Sequence, residues 1–178
     1  MKKMLLLICF LTVTITAQSQ EKKAAFPENS VGIYKGTLQI HSVRGEQQIP
    51  MEFHLLATRN STKFDYKLVY NGASRNYTLV VKDKAKGLFA VDENNGIILP
   101  AKYSKNTLFS FFEVQGNFLS SRMEFLENEV RFEILFTAKK NKIITGGSKK
   151  AGGKTKKIPE VFGYPITTIQ KAVLKKVN

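Results

Sequence analysis

The chain has 178 residues, and 28 Lys and Arg against 14 Asp and Glu give it a formal charge of +14. That length fits a single domain, and 43% hydrophobic with 24% charged residues is a globular composition, which excludes a disordered or collagen-like chain. One cysteine, Cys9, excludes a disulfide framework within the chain and any multi-cysteine metal site.

The first twenty residues point to a compartment. Lys2 and Lys3 precede an apolar run over 4–15, and Thr16, Ala17, Gln18, Ser19 and Gln20 follow it. Charged, then apolar, then small is the order of a secretory signal, and the apolar run is short for a bilayer span. Residues 1–20 are therefore expected to be a signal peptide, which sends the protein to the periplasm or the exterior. Its removal would leave a charge of +12 and no cysteine. An exported protein meets little chromosomal nucleic acid, so nucleic acid is not an expected partner in spite of the charge. No transmembrane segment is expected in the mature chain.

Residues 21–30 read as a linker. From residue 31 onward the apolar residues recur at every second position, as half-buried strands require. Tyr34, Leu38 and Ile40 share one face, and Met51, Phe53 and Leu55 share the next. Phe64, Tyr66, Leu68 and Tyr70 follow, then Tyr77, Leu79 and Val81. Met123 and Phe125 lead into Val130, Phe132, Ile134 and Phe136, the cleanest alternation in the chain. Turn residues punctuate these runs, among them Gly45, Asn71 with Gly72, Asn95 with Gly96, and Gly116 with Asn117. Such short loops join antiparallel neighbours, because a parallel crossover needs a dozen or more residues.

The expected fold is all-β: an antiparallel up-and-down meander of about nine or ten strands over 31–145, closing into a barrel that leaves no exposed edges. A Greek-key sandwich is the alternative. Residues 108–114 are apolar on both faces, so a cover is expected on their outer side. Residues 146–160 read as a flexible basic Gly/Lys loop. Over 161–178 the spacing of Ile169, Val173 and Val177 becomes helical, which predicts a short amphipathic C-terminal helix capped by Thr167 or Thr168; it is the candidate cover for 108–114, docked on the outside of the barrel or across one mouth.

Catalytic chemistry is poorly supplied. His41 and His54 both fall on polar, outward faces, and the chain has neither a nucleophile elbow nor a metalloprotease helix. The acidic turn at Asp92 lacks the spacing of a calcium loop. Gly153, Lys154 and Thr155 end like a phosphate-binding loop, but Ser148 stands where its first glycine belongs and Pro159 interrupts the helix that should follow. No catalytic residue, cofactor or metal is expected, and the protein is not expected to be an enzyme. Eight lysines and no acid fall between residues 139 and 159, two thirds of the mature charge. Of these, Lys149, Lys150, Lys154, Lys156 and Lys157 are candidates for contact with an anionic envelope surface of lipid or polysaccharide.

Gly32, Ile33, Tyr34, Lys35 and Gly36, set on the first strand of a meander behind a leader, resemble the Gly-x-aromatic motif of the calycin group. That group holds the lipocalins and fatty-acid-binding proteins; Tyr34 stands where the lipocalin pattern has Trp. The leader and overall build are also similar to small exported proteins of the Bacteroidota. The resemblance implies a single barrel with an internal cavity for a small apolar ligand. The inward aromatics that would line it are Tyr34, Phe53, Phe64, Tyr66, Tyr70, Phe125, Phe132 and Phe136. The expected function is an exported, non-enzymatic binding protein. The alternative is a cell-envelope interaction protein with a solid barrel and the basic loop as its contact surface.

Overall fold

The computed structural model describes residues 25–151 and 154–177, by backbone alone over 149–151 and 154–156. The segment read as a signal peptide lies outside the described residues. Among the described residues, twelve strands follow a short 3-10 turn at Glu28–Ser30. They are β1 (Gly32–Ser42), β2 (Gly45–Ala57), β3 (Lys63–Tyr70), β4 (Ala73–Asp83), β5 (Leu88–Asp92) and β6 (Ile98–Ser104). Then come β7 (Thr107–Val114), β8 (Asn117–Phe125), β9 (Glu129–Ala138), β10 (Ile143–Ala151), β11 (Lys154–Gly163) and β12 (Thr168–Val177).

Ten of these strands, β1 to β9 and β12, form one closed antiparallel barrel. Each strand from β1 to β8 pairs with the next in sequence, so the expected up-and-down meander is what forms and the sandwich alternative falls away. Ladder register keeps the alternating faces together. Tyr34 stands opposite Phe53, Phe53 opposite Leu68, Leu79 opposite Val91 and Met123 opposite Phe132, all on the inner side. The β3–β4 turn shows how the connections are made: Asn71 and Gly72 both take positive φ, 46° and 83°, as a two-residue hairpin loop demands.

The predicted C-terminal helix is absent. Thr168–Val177 is a strand that closes the barrel, paired with β1 from Ile33↔Val177 to Ser42↔Thr168 and with β9 from Lys175↔Glu129 to Thr168↔Phe136. The residues that gave the helical spacing point outward, and Val173 is 50% exposed; the buried inner face is Ala172 and Leu174. Two waiting edges, β1 and β9, decide the matter. Without β12 both would expose unpaired N–H and C=O groups, and β-branched Ile169, Val173 and Val177 suit a strand. Gly36 permits the close seam, because a Cβ there would run into the Val173 carbonyl of β12.

Residues expected to be a flexible basic loop form the β10–β11 hairpin, a two-stranded sheet of its own. The cover expected over 108–114 is not the C-terminal segment, which is spent on closure. Residues 25–30, the described part of the stretch read as a linker, also have a defined place. Phe26 is 3% exposed and packs against Phe89, Tyr103 and Phe125, and the Tyr34 hydroxyl donates to the Ser30 carbonyl at 2.8 Å.

Because neighbouring strands alternate in direction, the turns fall at two ends. The loops at 58–62, 84–87, 105–106 and 126–128 share one end with Phe26, which plugs it. Those at 43–44, 71–72, 93–97 and 115–116 share the other end, from which the β10–β11 hairpin also rises. At its root Thr137 Oγ1 donates to the Pro165 carbonyl at 2.7 Å, and Phe118 meets Tyr164 edge to face at 4.9 Å.

Candidate ligand-binding cavity

The barrel interior is divided. Toward the plugged end it is solid, with Phe26, Phe53, Phe89 and Phe125 among the aromatic rings stacked through it at centroid distances of 4.0–6.2 Å. Toward the other end it is hollow, with a cavity of about 790 Å³ that opens at the rim. Tyr66 and Phe132 lie where the two halves meet, and the Tyr66 hydroxyl directs its proton at the Met123 sulfur. Leu38, Ile49, Leu68, Val91, Leu99, Leu119 and Ile134 supply the apolar wall.

Polar groups gather near the rim. Tyr70, Arg75, Tyr77, Glu93, Glu113, Ser121 and Gln170 all line the cavity. Burial pushes the Tyr70 phenol up to about 12, with Tyr77 adding to the rise and Arg75 opposing it, so the hydroxyl is a neutral donor at ordinary pH. The Arg75 guanidinium stands 5.9 Å from the Tyr70 ring centroid, and no carboxylate among the described residues lies within 4 Å of it. Four outer-face cations do meet a carboxylate. Lys35 meets Glu52 at 2.9 Å, Lys171 meets Glu133 at 3.2 Å, Arg122 meets Glu124 at 3.0 Å, and Arg131 meets Glu129 at 2.9 Å. The arrangement can therefore bury an apolar body and meet an anionic or hydrogen-bonding group at one end.

Of the eight aromatics expected to line a cavity, the structure places Tyr66, Tyr70 and Phe132 on its wall. Tyr34, Phe53, Phe64 and Phe125 are buried in the solid core instead. Phe136 sits on the inner side of β9 by register, opposite Leu119, but does not border the cavity. Arg75, Glu93 and Gln170 were missed. Arg75 had a signal, since the alternation of Tyr77, Leu79 and Val81 extended by one step puts it inside.

The two histidines lie on the outer side, His41 at 3.0 Å from Glu46 and half-buried His54 at 2.8 Å from Glu52. Among the described residues no group of three or more His, Cys, Asp or Glu is placed to hold a metal ion, and no helix is long and apolar enough to cross a membrane. Of the basic-surface candidates, Lys157 is exposed and pairs in register with Ser148, while the backbone of Lys149 stands opposite that of Lys156. In backbone register Lys150 pairs with Thr155, and Lys154 with Ala151. No family model and no curated protein matches the chain.

Proposed function

We propose that this chain is an exported, non-enzymatic binding protein of calycin-like build that holds one amphiphile, its apolar body in the hollow half of the barrel and its polar head beside Arg75, Tyr70 and Tyr77. The observation that carries this reading is a cavity of about 790 Å³ with an apolar wall and, at its rim, a guanidinium that has no carboxylate within 4 Å among the described residues. That volume falls within the roughly 300–1,000 Å³ usual for small-molecule sites. Export rests on the order of charge, apolar run and small residues in the leader.

The test compares cis-parinaric acid with its alcohol on the parent chain and on Arg75→Gln. The variant should bind the acid about tenfold more weakly, about 1.4 kcal/mol, and the alcohol equally well. Equal loss for both would remove the charge from the account. Failure of the parent to bind either would remove the ligand.

A second reading has its own observation. The β10–β11 ladder carries the basic run out from the barrel as one hairpin, and the sequence from 139 to 159 holds eight lysines and no acid to offset them. Exposed Ile143, Ile144, Val161 and Phe162 lie at its base. On this reading the hairpin touches anionic lipid or polysaccharide through Lys149, Lys150, Lys154, Lys156 and Lys157. At about 1 kcal/mol per lysine near an anionic surface, changing all five to Gln should cut retention on anionic vesicles at low salt more than tenfold. Unchanged retention would leave the hairpin without this role.

A further inference from the structure

One seam of the barrel is incomplete. β6 and β7 pair only at Lys102↔Phe109, Tyr103↔Leu108 and Ser104↔Thr107, beside their turn at the plugged end. Toward the rim, residues 98–101 and 110–114 have no ladder partner in each other, although each strand stays paired on its far side, Pro100 with Ala90 and Phe111 with Ser120. The cause is written in the sequence. The Pro100 carbonyl accepts the Ser110 hydroxyl at 2.7 Å, so it faces β7. A strand residue directs its N–H and C=O to the same edge, so the N–H that proline lacks is the donor this seam needed.

Hollows lie on both sides of the gap. On the inside, Ile97 and Leu99 of one lip and Phe112 and Val114 of the other border the main cavity. On the outside, a separate depression of about 400 Å³ is bordered by Leu88, Pro100, Phe109, Ser110 and Phe111. The lips are apolar outward as well: Phe111 is 67% exposed and Ile98 is 56% exposed. This is the stretch whose two apolar faces called for a cover.

We infer that the slit between β6 and β7 is the passage by which the ligand enters and leaves the barrel sideways, its apolar part resting first in the outer depression. The inference rests on the ligand-holding reading above and adds where exchange occurs. Ser110 acts as a latch: its hydroxyl bridges the lips at one point, and one hydrogen bond yields more readily than a ladder.

The test places cysteines at positions 100 and 111, which the β6–β7 register continued two residues past Lys102↔Phe109 would set opposite each other, in a Cys9→Ser background that leaves them the only thiols. Release of cis-parinaric acid is followed by stopped flow, with the pair oxidised and then reduced. Closure should slow release and uptake about tenfold or more relative to the parent, leave the equilibrium affinity nearly unchanged, and relax on reduction only to the rate of Pro100→Ala, because Cys at 100 also restores the missing donor. Pro100→Ala is the second arm. It restores the missing donor and should slow exchange without a cross-link. An unchanged rate in the oxidised pair, with thiol loss verified, overturns the inference. If the pair does not oxidise, an unchanged rate in Pro100→Ala does so. No uptake by the parent chain overturns the ligand-holding reading itself, and the passage with it.

Discussion

Phe26→Ala is expected to destabilise the barrel by about 3–5 kcal/mol, the cost of deleting a fully buried aromatic from a site that cannot collapse. The ring is stacked on Tyr103 at 4.0 Å and 7°, with Phe125 at 4.9 Å and Phe89 edge-on at 5.2 Å. Those partners project from β5, β6 and β8, whose backbones are tied into ladders, so the wall cannot move in to fill the space. At roughly 2–4 °C per kcal/mol for a chain of this size, Tm should fall by about 10 °C in thermal unfolding followed by circular dichroism. Lys84→Met is the comparison. It removes the ion pair with Glu28 at 2.6 Å, but both groups are more than two-fifths exposed, and such pairs contribute less than about 1 kcal/mol. If the two variants lose the same small amount, the N-terminal segment is not part of the barrel's core.

The elements legible in the sequence were those that bury one face. Over 31–138 each strand packs alternate residues on a shared interior, so period two is imprinted on the chain, and the turns carry residues that tolerate positive φ. β12 escaped because its inner face is modest, with Ala172 and Leu174 between polar Thr168, Gln170 and Lys176. Its outer valine and isoleucine residues fall four apart by chance. What makes it a strand is the pair of open edges more than thirty residues away in sequence, which no local window contains. The β10–β11 hairpin escaped for the opposite reason. A two-stranded sheet with no core behind it has no face to imprint, and glycine and lysine read as loop. Phe26 is one aromatic in a polar stretch, too short for any period.

The cavity was legible as a possibility and not as a place. Inward aromatics line solid and hollow halves alike, and the difference depends on side-chain volumes summed across ten strands at one level. Toward the rim the inner positions hold Ala73, Ser121 and Gln170, whereas toward the plug they hold Tyr34, Phe64 and Phe125. That contrast becomes visible only once register has put the strands side by side. The slit was half visible: residues 108–114 stood out as apolar on both faces, but the proline that unzips them lies on the neighbouring strand.

Half of this barrel is packed and half is hollow, and Ser121→Trp tests most directly whether the hollow half takes a ligand, as proposed. Ser121 lies on the cavity wall, opposite Ile134 across the β8–β9 ladder. In a packed interior, replacing serine with the largest side chain would cost about 1–3 kcal/mol or more through overpacking. In a hollow one the indole takes up space meant for the ligand, with little loss of stability. The chain has no other Trp, so the new ring also reports on its surroundings by fluorescence. The measurement is a titration with cis-parinaric acid beside thermal unfolding. The expected result is saturable one-to-one binding by the parent, binding weakened about 100-fold or more in the variant, about 2.7 kcal/mol, and a Tm that hardly moves. A parent that does not bind, or a variant that binds equally well or unfolds at much lower temperature, would contradict it.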